Sequence, residues 1–290
     1  MRVSQSGTEP KTRIASKSSK LKTIPPCTSL RTFTTSLSGL RVRVFLMPQK
    51  ITFFSRKTQE DLNREWDKIA PIRDSQVAAE ADRSFNEVLE PWILNRLNSA
   101  NTVLDAGCGT GRLTKSLRKL ATAVTGIDPS EESVKIARRN DPTGTYEVST
   151  IENWAASRHD PRFDLVVANM VLMDALHLDE VCASIATLAR GGRLVATITH
   201  PAFWPIYWDY ASAAEFNYSK ELIVQAPFKT SSLDYSMNTT HIHRPLETYL
   251  ETFRSSGLRL TRLDELRGPE TVSTFPFPRF IGMEAVVEAR

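Results

Sequence analysis

The stretch Val103-Leu104-Asp105-Ala106-Gly107-Cys108-Gly109-Thr110-Gly111-Arg112 decides how this chain is read. An aliphatic run meets a glycine-dense turn, and a helical pattern follows at once through Leu113, Leu117 and Leu120. Strand, tight loop and helix in that order put a ligand at the carboxyl edge of a parallel sheet. The loop reads Gly-x-Gly-x-Gly. A dinucleotide fingerprint keeps its third glycine one residue later, for helix packing over a pyrophosphate. A phosphate loop continues Gly-Lys-Ser/Thr, whereas Gly111 is followed by Arg112. The early third glycine is expected to let the backbone pass close beneath a nucleoside and its attached chain.

Downstream, strands and helices alternate. Ala123–Ile127 is the second strand, stopped by Asp128-Pro129, and Ser130 to Asn140 is helical with Ser130 or Asp128 as its N-cap. Thr145–Ser149 is the third strand and Ile151–Ser157 a short helical segment. Phe163–Ala168, unbroken and apolar after Asp164, is the fourth, as a strand buried on both faces should be. Asp174–Ala189 is an amphipathic helix closed by Gly191-Gly192, and Arg193–Thr199 is the fifth strand. Such alternation predicts a parallel sheet with helices on both faces. Upstream, helical spacing over Thr58–Ala70 is expected to end at Pro71, with a second helix over Asp74–Leu97 that Pro91 splits or kinks.

The rhythm fails after His200. Residues 201–243 hold aromatics in an irregular, proline-broken context, and read as a lid or substrate wall at the ligand edge. The rival reading is a satellite core on the flank of the sheet. Leu246–Ser255 then resumes as helix, Leu258–Leu263 as strand, and Phe280–Glu288 alternates as an edge strand does.

The formal net charge of +4 is misleading over the whole chain. Residues 1–50 carry ten basic residues against Glu9 alone, leaving 27 basic and 32 acidic residues, about −5, for 51–290. The basic character belongs to a tail, so a nucleic-acid partner is not expected of the body. The tail is rich in Ser, Thr, Lys and Arg, the composition of a transit peptide for mitochondrion or plastid. Its rivals are a disordered extension, or upstream sequence with Met47 as the true start, and then a cytoplasmic protein. Cys27, Cys108 and Cys182 form no CxxC pair, so neither disulfide framework nor zinc site is expected. No apolar run reaches a membrane-spanning length of about 18 residues.

Three companions of the glycine loop also sit at strand carboxyl ends. Asp128 closes the second strand, where a carboxylate accepts ribose hydroxyls, with Pro129 behind it. Thr150-Ile151 follows the third, beside an adenine edge. Asn169-Met170 follows the fourth, at the reacting end of the ligand.

On residues 103–112, Gly-Ile-Asp-Pro-Ser (126–130) and Phe-Asp-Leu-Val-Val-Ala-Asn-Met-Val-Leu-Met (163–173), the chain resembles the class I S-adenosylmethionine-dependent methyltransferases, in particular the type 11 group. The resemblance covers roughly residues 60–290. It implies an α/β, Rossmann-like sheet, mostly parallel with an antiparallel last strand, in a domain over 58–290 with a substrate-side insertion at 201–243. It implies S-adenosylmethionine as cofactor, with Asp105, Gly107, Cys108, Gly109 and Gly111 around the methionine portion and Asp128 on the ribose. Relatives often carry Asp where Thr150 stands, so the Ile151 backbone is the expected adenine contact. Trp66-Asp-Lys-Ile-Ala-Pro71 looks like the helix that closes over the cofactor.

A sulfonium methyl is already activated, so catalysis is mainly positioning and exclusion of water. The candidates on the acceptor side are His200 at the end of the fifth strand, as base or hydrogen-bond partner, and Trp204 and Tyr207 as aromatic wall. Arg244 is a candidate anchor for an anion. His241-Ile242-His243 would place two rings on one face, too few for a metal. The expected substrate is a small organic molecule. A macromolecular acceptor, a nicotinamide-type oxidoreductase and a non-catalytic cofactor-binding subunit are the alternatives, and oligomeric state is left open.

Overall fold

The aliphatic runs flanking the glycine loop pair side by side. In this computed structural model, residues 32–37, 40–45, 51–97, 99–157, 162–229, 234–269 and 274–287 are described. The chain divides into two units, Met1–Pro48 and Gln49–Arg290. In the first, β1 (Thr32–Leu37) and β2 (Leu40–Phe45) form an antiparallel pair. The remainder of the tail read above as a presequence or extension lies outside the described residues.

In the second unit β3 (Thr52–Phe54) leads into α1 (Gln59–Ala78). A capping box starts α1: Thr58 accepts from the Asp61 N–H while Asp61 accepts from the Thr58 N–H. Pro71 does not end this helix but lies inside it. Its missing N–H costs one helical bond. Burial of Ile69 and Ala70, and an Asp67 carboxylate that accepts from Ser130 Oγ and the Glu132 N–H, hold the helix in line. The expected second helix is interrupted instead at Glu80, which has a positive φ of 51°. A π-helical turn (Phe85–Leu89) then enters α2 (Glu90–Leu94), with Pro91 in the first turn, where an absent N–H is harmless.

The alternation follows as β4 (Thr102–Ala106), α3 (Arg112–Leu117), β5 (Ala123–Asp128), α4 (Glu131–Asn140), β6 (Thr145–Val148), α5 (Ile151–Ala156), β7 (Leu165–Asn169), α6 (Leu178–Leu188) and β8 (Arg193–Thr199). Beyond it come α7 (Trp204–Tyr207), β9 (Leu222–Lys229), β10 (Asp234–His243), α8 (Leu246–Ser255), β11 (Leu258–Leu266) and β12 (Phe280–Val287). The seven-stranded sheet has the order β11-β12-β8-β7-β4-β5-β6, parallel except where β12 runs against both neighbours. The last strand is thus antiparallel, but it is not the edge. Its Phe280, Ile281, Met283 and Ala285 are buried, and the more exposed β11 takes the edge.

Alternate residues feed two cores. Leu104, Val166, Leu194 and Ile198 pack with α6 and α8, while Val103, Leu165, Val167 and Val195 pack with Trp92, Ile93, Leu113 and Leu117. Double-sided burial explains the unbroken apolar strands. The insertion is more regular than its prolines suggest. β9 and β10 form a hairpin, and β3 adds to it as a third antiparallel strand (Phe53↔Val224), so the folded body begins upstream of residue 58. No helix among the described residues is long and apolar enough to cross a membrane.

Trp92 fastens β12 to the second of these cores. Its indole N–H donates to Asp264 at 3.0 Å, Arg96 lies over its ring at 3.8 Å, and a Cβ at Gly282 would come within 2.4 Å of it. With the ring so held, Gly282→Ala overpacks this contact. We expect a loss of about 1–3 kcal/mol and a melting temperature several degrees lower, read by thermal denaturation.

Candidate active site

The glycine loop is tied to the strand beside it. Gly107 and Cys108 N–H both donate to the Ile127 carbonyl (2.8 and 2.9 Å), and Gly109 N–H donates to Asp128 Oδ2 at 2.9 Å. Gly109 has φ +53° and open space where a Cβ would stand, so the loop's outer surface is free for a ligand. Gly111 does a different job from the one expected. It does not line the cavity; at φ +83° it lets α3 start close to α4 and β6, where a Cβ would meet Ala137 and Tyr146 at 2.9 Å.

One cavity of about 320 Å³ runs from this loop to the insertion. Asp105, Gly107, Cys108, Gly109, Asp128, Pro129, Thr150, Ile151, Asn169, Met170, Trp204 and Tyr207 all line it. Asp105 is buried, with Thr114 Oγ1 donating to it at 2.6 Å. Burial, helped by the Asp128 charge, pushes its carboxyl up to about 7. Asp128 accepts from Gly109 and Ser130 N–H, and burial still pushes it up to about 6. Neither carboxylate has a cation partner among the described residues.

Thr150 spends its hydroxyl on capping α5, accepting from Asn153 N–H, which leaves the Ile151 backbone as the free contact at that strand end. Asn169 Oδ1 accepts from Thr197 Oγ1 at 2.8 Å, and Met170 takes a strained positive φ of 60° at the end of β7. The Cys108 thiol is pushed well up by burial and the nearby Asp128 and Asp105, so it stays protonated and serves packing.

Two acceptor-side candidates belong elsewhere. His200 does not line the cavity; its Nε2 pairs with Glu265 at 3.0 Å and its Nδ1 accepts from Ala202 N–H, tying the insertion to β11. Arg244 is 1% exposed, pairs with Glu221, and donates to the Leu172, Ala175 and Leu176 carbonyls. Those bonds shape the turn after β7 and delay α6 to Leu178, later than the expected Asp174.

The insertion is both wall and satellite core. Trp204, Tyr207, Trp208 and Phe228 line the cavity, whereas Tyr210 and Phe216 pack edge-on with each other and with His243. Trp66 of α1 lines it from above and meets Phe228 edge to face.

Three further residues line the cavity, of which sequence reasoning weighed His241 only as half of a metal pair and missed the other two. His241 is buried, bonds Tyr210 Oη through Nε2 at 3.0 Å, and is pushed by burial down to about 3, so it is neutral. Asp174 follows β7, is partly exposed, and is held well above the carboxylate range by burial and by Glu65. Arg279 immediately precedes β12. Only the His241-Ile242-His243 alternation gave a signal; Asp174 was absorbed into a helix expected to start there, and Arg279 stands in a Pro-Phe-Pro-Arg run without periodicity.

A family model described as a methyltransferase domain matches residues 103–192. The mouse mitochondrial ubiquinone biosynthesis O-methyltransferase is 29% identical over 204 residues, 58% of this chain and 51% of that protein. The chain spans about half the length of the curated relatives it matches. Among solved structures, a putative S-adenosylmethionine-dependent methyltransferase from Listeria monocytogenes aligns with TM-score 0.53 at 24% identity, covering 66% of this chain and 92% of its own. A 1,6-didemethyltoxoflavin-N1-methyltransferase from Burkholderia thailandensis, with S-adenosylhomocysteine bound, aligns with TM-score 0.55 at 14% identity, over 85% and 98%.

The donor set fits S-adenosylmethionine. Asp128 would offer its remaining carboxylate lone pairs to ribose hydroxyls, and buried Asp105 would offer a negative charge to the ammonium of the methionine portion. That ammonium favours ionised Asp105, so binding of S-adenosylhomocysteine should strengthen as pH rises from 6 through about 7. Without ligand the sign reverses: a carboxyl raised from 3.8 to about 7 contributes stability below 3.8 that is lost as pH rises through 7. Asp105→Asn should therefore gain melting temperature over the wild type at pH 8 more than at pH 5, while flattening the pH dependence of affinity measured by calorimetry.

Proposed function

We propose that this chain, which carries a class I S-adenosylmethionine-dependent methyltransferase domain, transfers a methyl group to a hydroxyl of a small aromatic acceptor held against Trp204, Tyr207 and Trp208. The observation that carries this reading is the single cavity reaching from Asp105 and Asp128 to that aromatic wall. The cofactor, when bound, supplies an electrophilic methyl. The chain's own residues do the rest: they fix the approach, exclude water under Trp66 and α1, and receive a proton. Aromatic side chains suit a planar acceptor, which they hold by offset or edge contacts. The O-methyltransferase named among the relatives supports oxygen as nucleophile, and the acidic body supports a small molecule over nucleic acid. The basic tail, with a relative named as mitochondrial, supports an organellar destination.

The base we assign is Asp174 rather than His200. It lines the cavity, and no side-chain hydrogen bond or ion pair engages it among the described residues. Its raised proton affinity is the property a general base needs.

Incubation with isotopically labelled S-adenosylmethionine and catechol should give a product one methyl heavier. Binding of S-adenosylhomocysteine without transfer to any of a panel of phenols would sink the reading. Asp174→Asn should lower kcat by about 10²-fold with cofactor affinity retained, and should abolish the limb on which wild-type kcat rises with pH as Asp174 ionises.

A further inference from the structure

Three guanidinium groups line the cavity, and two of them are neutralised by the protein. Arg73 bridges Asp82 at 2.7 Å, and Arg112 faces Glu90 at 3.6 Å. Arg279 has no carboxylate within ion-pair distance among the described residues, although it is only 2% exposed. Burying an unpaired cation costs several kcal/mol, and such a group persists where something else supplies the counter-charge.

Its position is fixed. Arg279 N–H donates to the Leu266 carbonyl at 2.9 Å, and its own carbonyl accepts from His200 N–H at 2.8 Å. The guanidinium lies 5.0 Å from the Tyr207 ring centre and 5.3 Å from that of Phe280. A Cβ at Gly268 would fall 1.9 Å from Nη2, so a glycine there leaves the room Arg279 occupies. Its hydrogen-bond partners are neutral hydroxyls: Nη1 donates to Tyr207 Oη and Nη2 to Ser84 Oγ, each at 2.9 Å, and Nε is unpartnered. Each hydroxyl accepts from arginine through a lone pair and keeps its own O–H to donate. Arginine, Tyr207 and Ser84, all lining the cavity, therefore form a cluster of donors without an acceptor charge.

The cluster is on the acceptor side. Phe280 pairs with Thr199 at the carboxyl end of β8, and the order β12-β8-β7-β4 separates Arg279 from the glycine-loop strand by three strand spacings, about 14 Å. We infer that the acceptor carries a carboxylate, bound by Arg279 with Tyr207 and Ser84 while its ring lies against the aromatic wall. This rests on the reading of the cavity as a methyl-acceptor site.

Caffeate and its methyl ester separate the two ideas, because both present the same hydroxyls and only one is an anion. In the presence of S-adenosylhomocysteine, calorimetry should show the wild type binding caffeate at least tenfold more tightly than the ester. Arg279→Gln should weaken caffeate by about 10- to 100-fold, leaving the ester and the cofactor unchanged. Arg279→Lys, which keeps the charge and loses the fork, should fall between them. Should the Gln variant not fold, the wild-type comparison and the Lys variant decide. Equal binding of acid and ester by the wild type, or equal weakening of both in a folded variant, overturns the inference. Because the readout is binding, preference for the acid without turnover would count against methyl transfer to hydroxyl, and would leave the carboxylate site standing.

Discussion

The carboxylate of Asp128 is the interaction on which the cofactor half of this molecule depends. One oxygen accepts from Gly109 N–H and the other from Ser130 N–H. A single side chain thus joins the glycine loop after β4 to the start of α4 after β5. Ser130 passes the connection on: its hydroxyl caps α4 by accepting from Ser133 N–H and donates to Asp67 of α1. Asp67 also takes the Glu132 N–H at the positive end of α4. α1, the loop and the neighbouring strand are therefore parts of one hydrogen-bonded chain running through the site.

That arrangement has a cost in charge. Asp105, Asp128 and Asp174 are all raised above the carboxylate range, chiefly by burial. A fold selected for stability alone would fill these positions with apolar or paired groups. With Asp105 and Asp128 beside the glycine loop and Arg279 three strands away, none of them in an ion pair among the described residues, the ligand-free protein carries two opposite electrostatic deficits. A ligand pair with an ammonium at one end and an anion at the other would relieve both, and that differential interaction is what drives closure of a site around its ligands.

The cofactor half was legible in sequence because its determinants are local. Strand, glycine loop and helix lie within residues 103–117, and Asp128 and Asn169, read as standing directly at the carboxyl ends of the second and fourth strands, are the last residues of β5 and β7. Errors arose where tertiary contacts override local rules. Pro71 stays within α1 because Asp67, Ile69 and Ala70 are docked, and Gly111 serves packing because α4 and β6 come to it. β12 reads as an edge strand by alternation, yet it lies between β11 and β8, an order that no periodicity encodes. His200 ends the fifth strand at the ligand edge, and Arg244 stands before Pro245 with a guanidinium suited to an anion, so the sequence alone points both at a ligand. Their partners, Glu265 and Glu221, become neighbours only on folding.

The proposed acceptor half was illegible for a stronger reason. Ser84 precedes a π-helical turn, Tyr207 closes α7 and Arg279 immediately precedes β12, so nearly two hundred residues separate the first from the last. None has a neighbour in sequence that gives it meaning. What unites them is register: Phe280 opposite Thr199 sets Arg279 beside the start of the insertion, where the turn through Ala202 and Phe203 swings Tyr207 back over it. The cofactor side is thus written in short segments, each legible at the end of its own strand. The proposed acceptor site is an outcome of strand order and insertion packing, so proteins sharing this loop can differ freely in what they methylate.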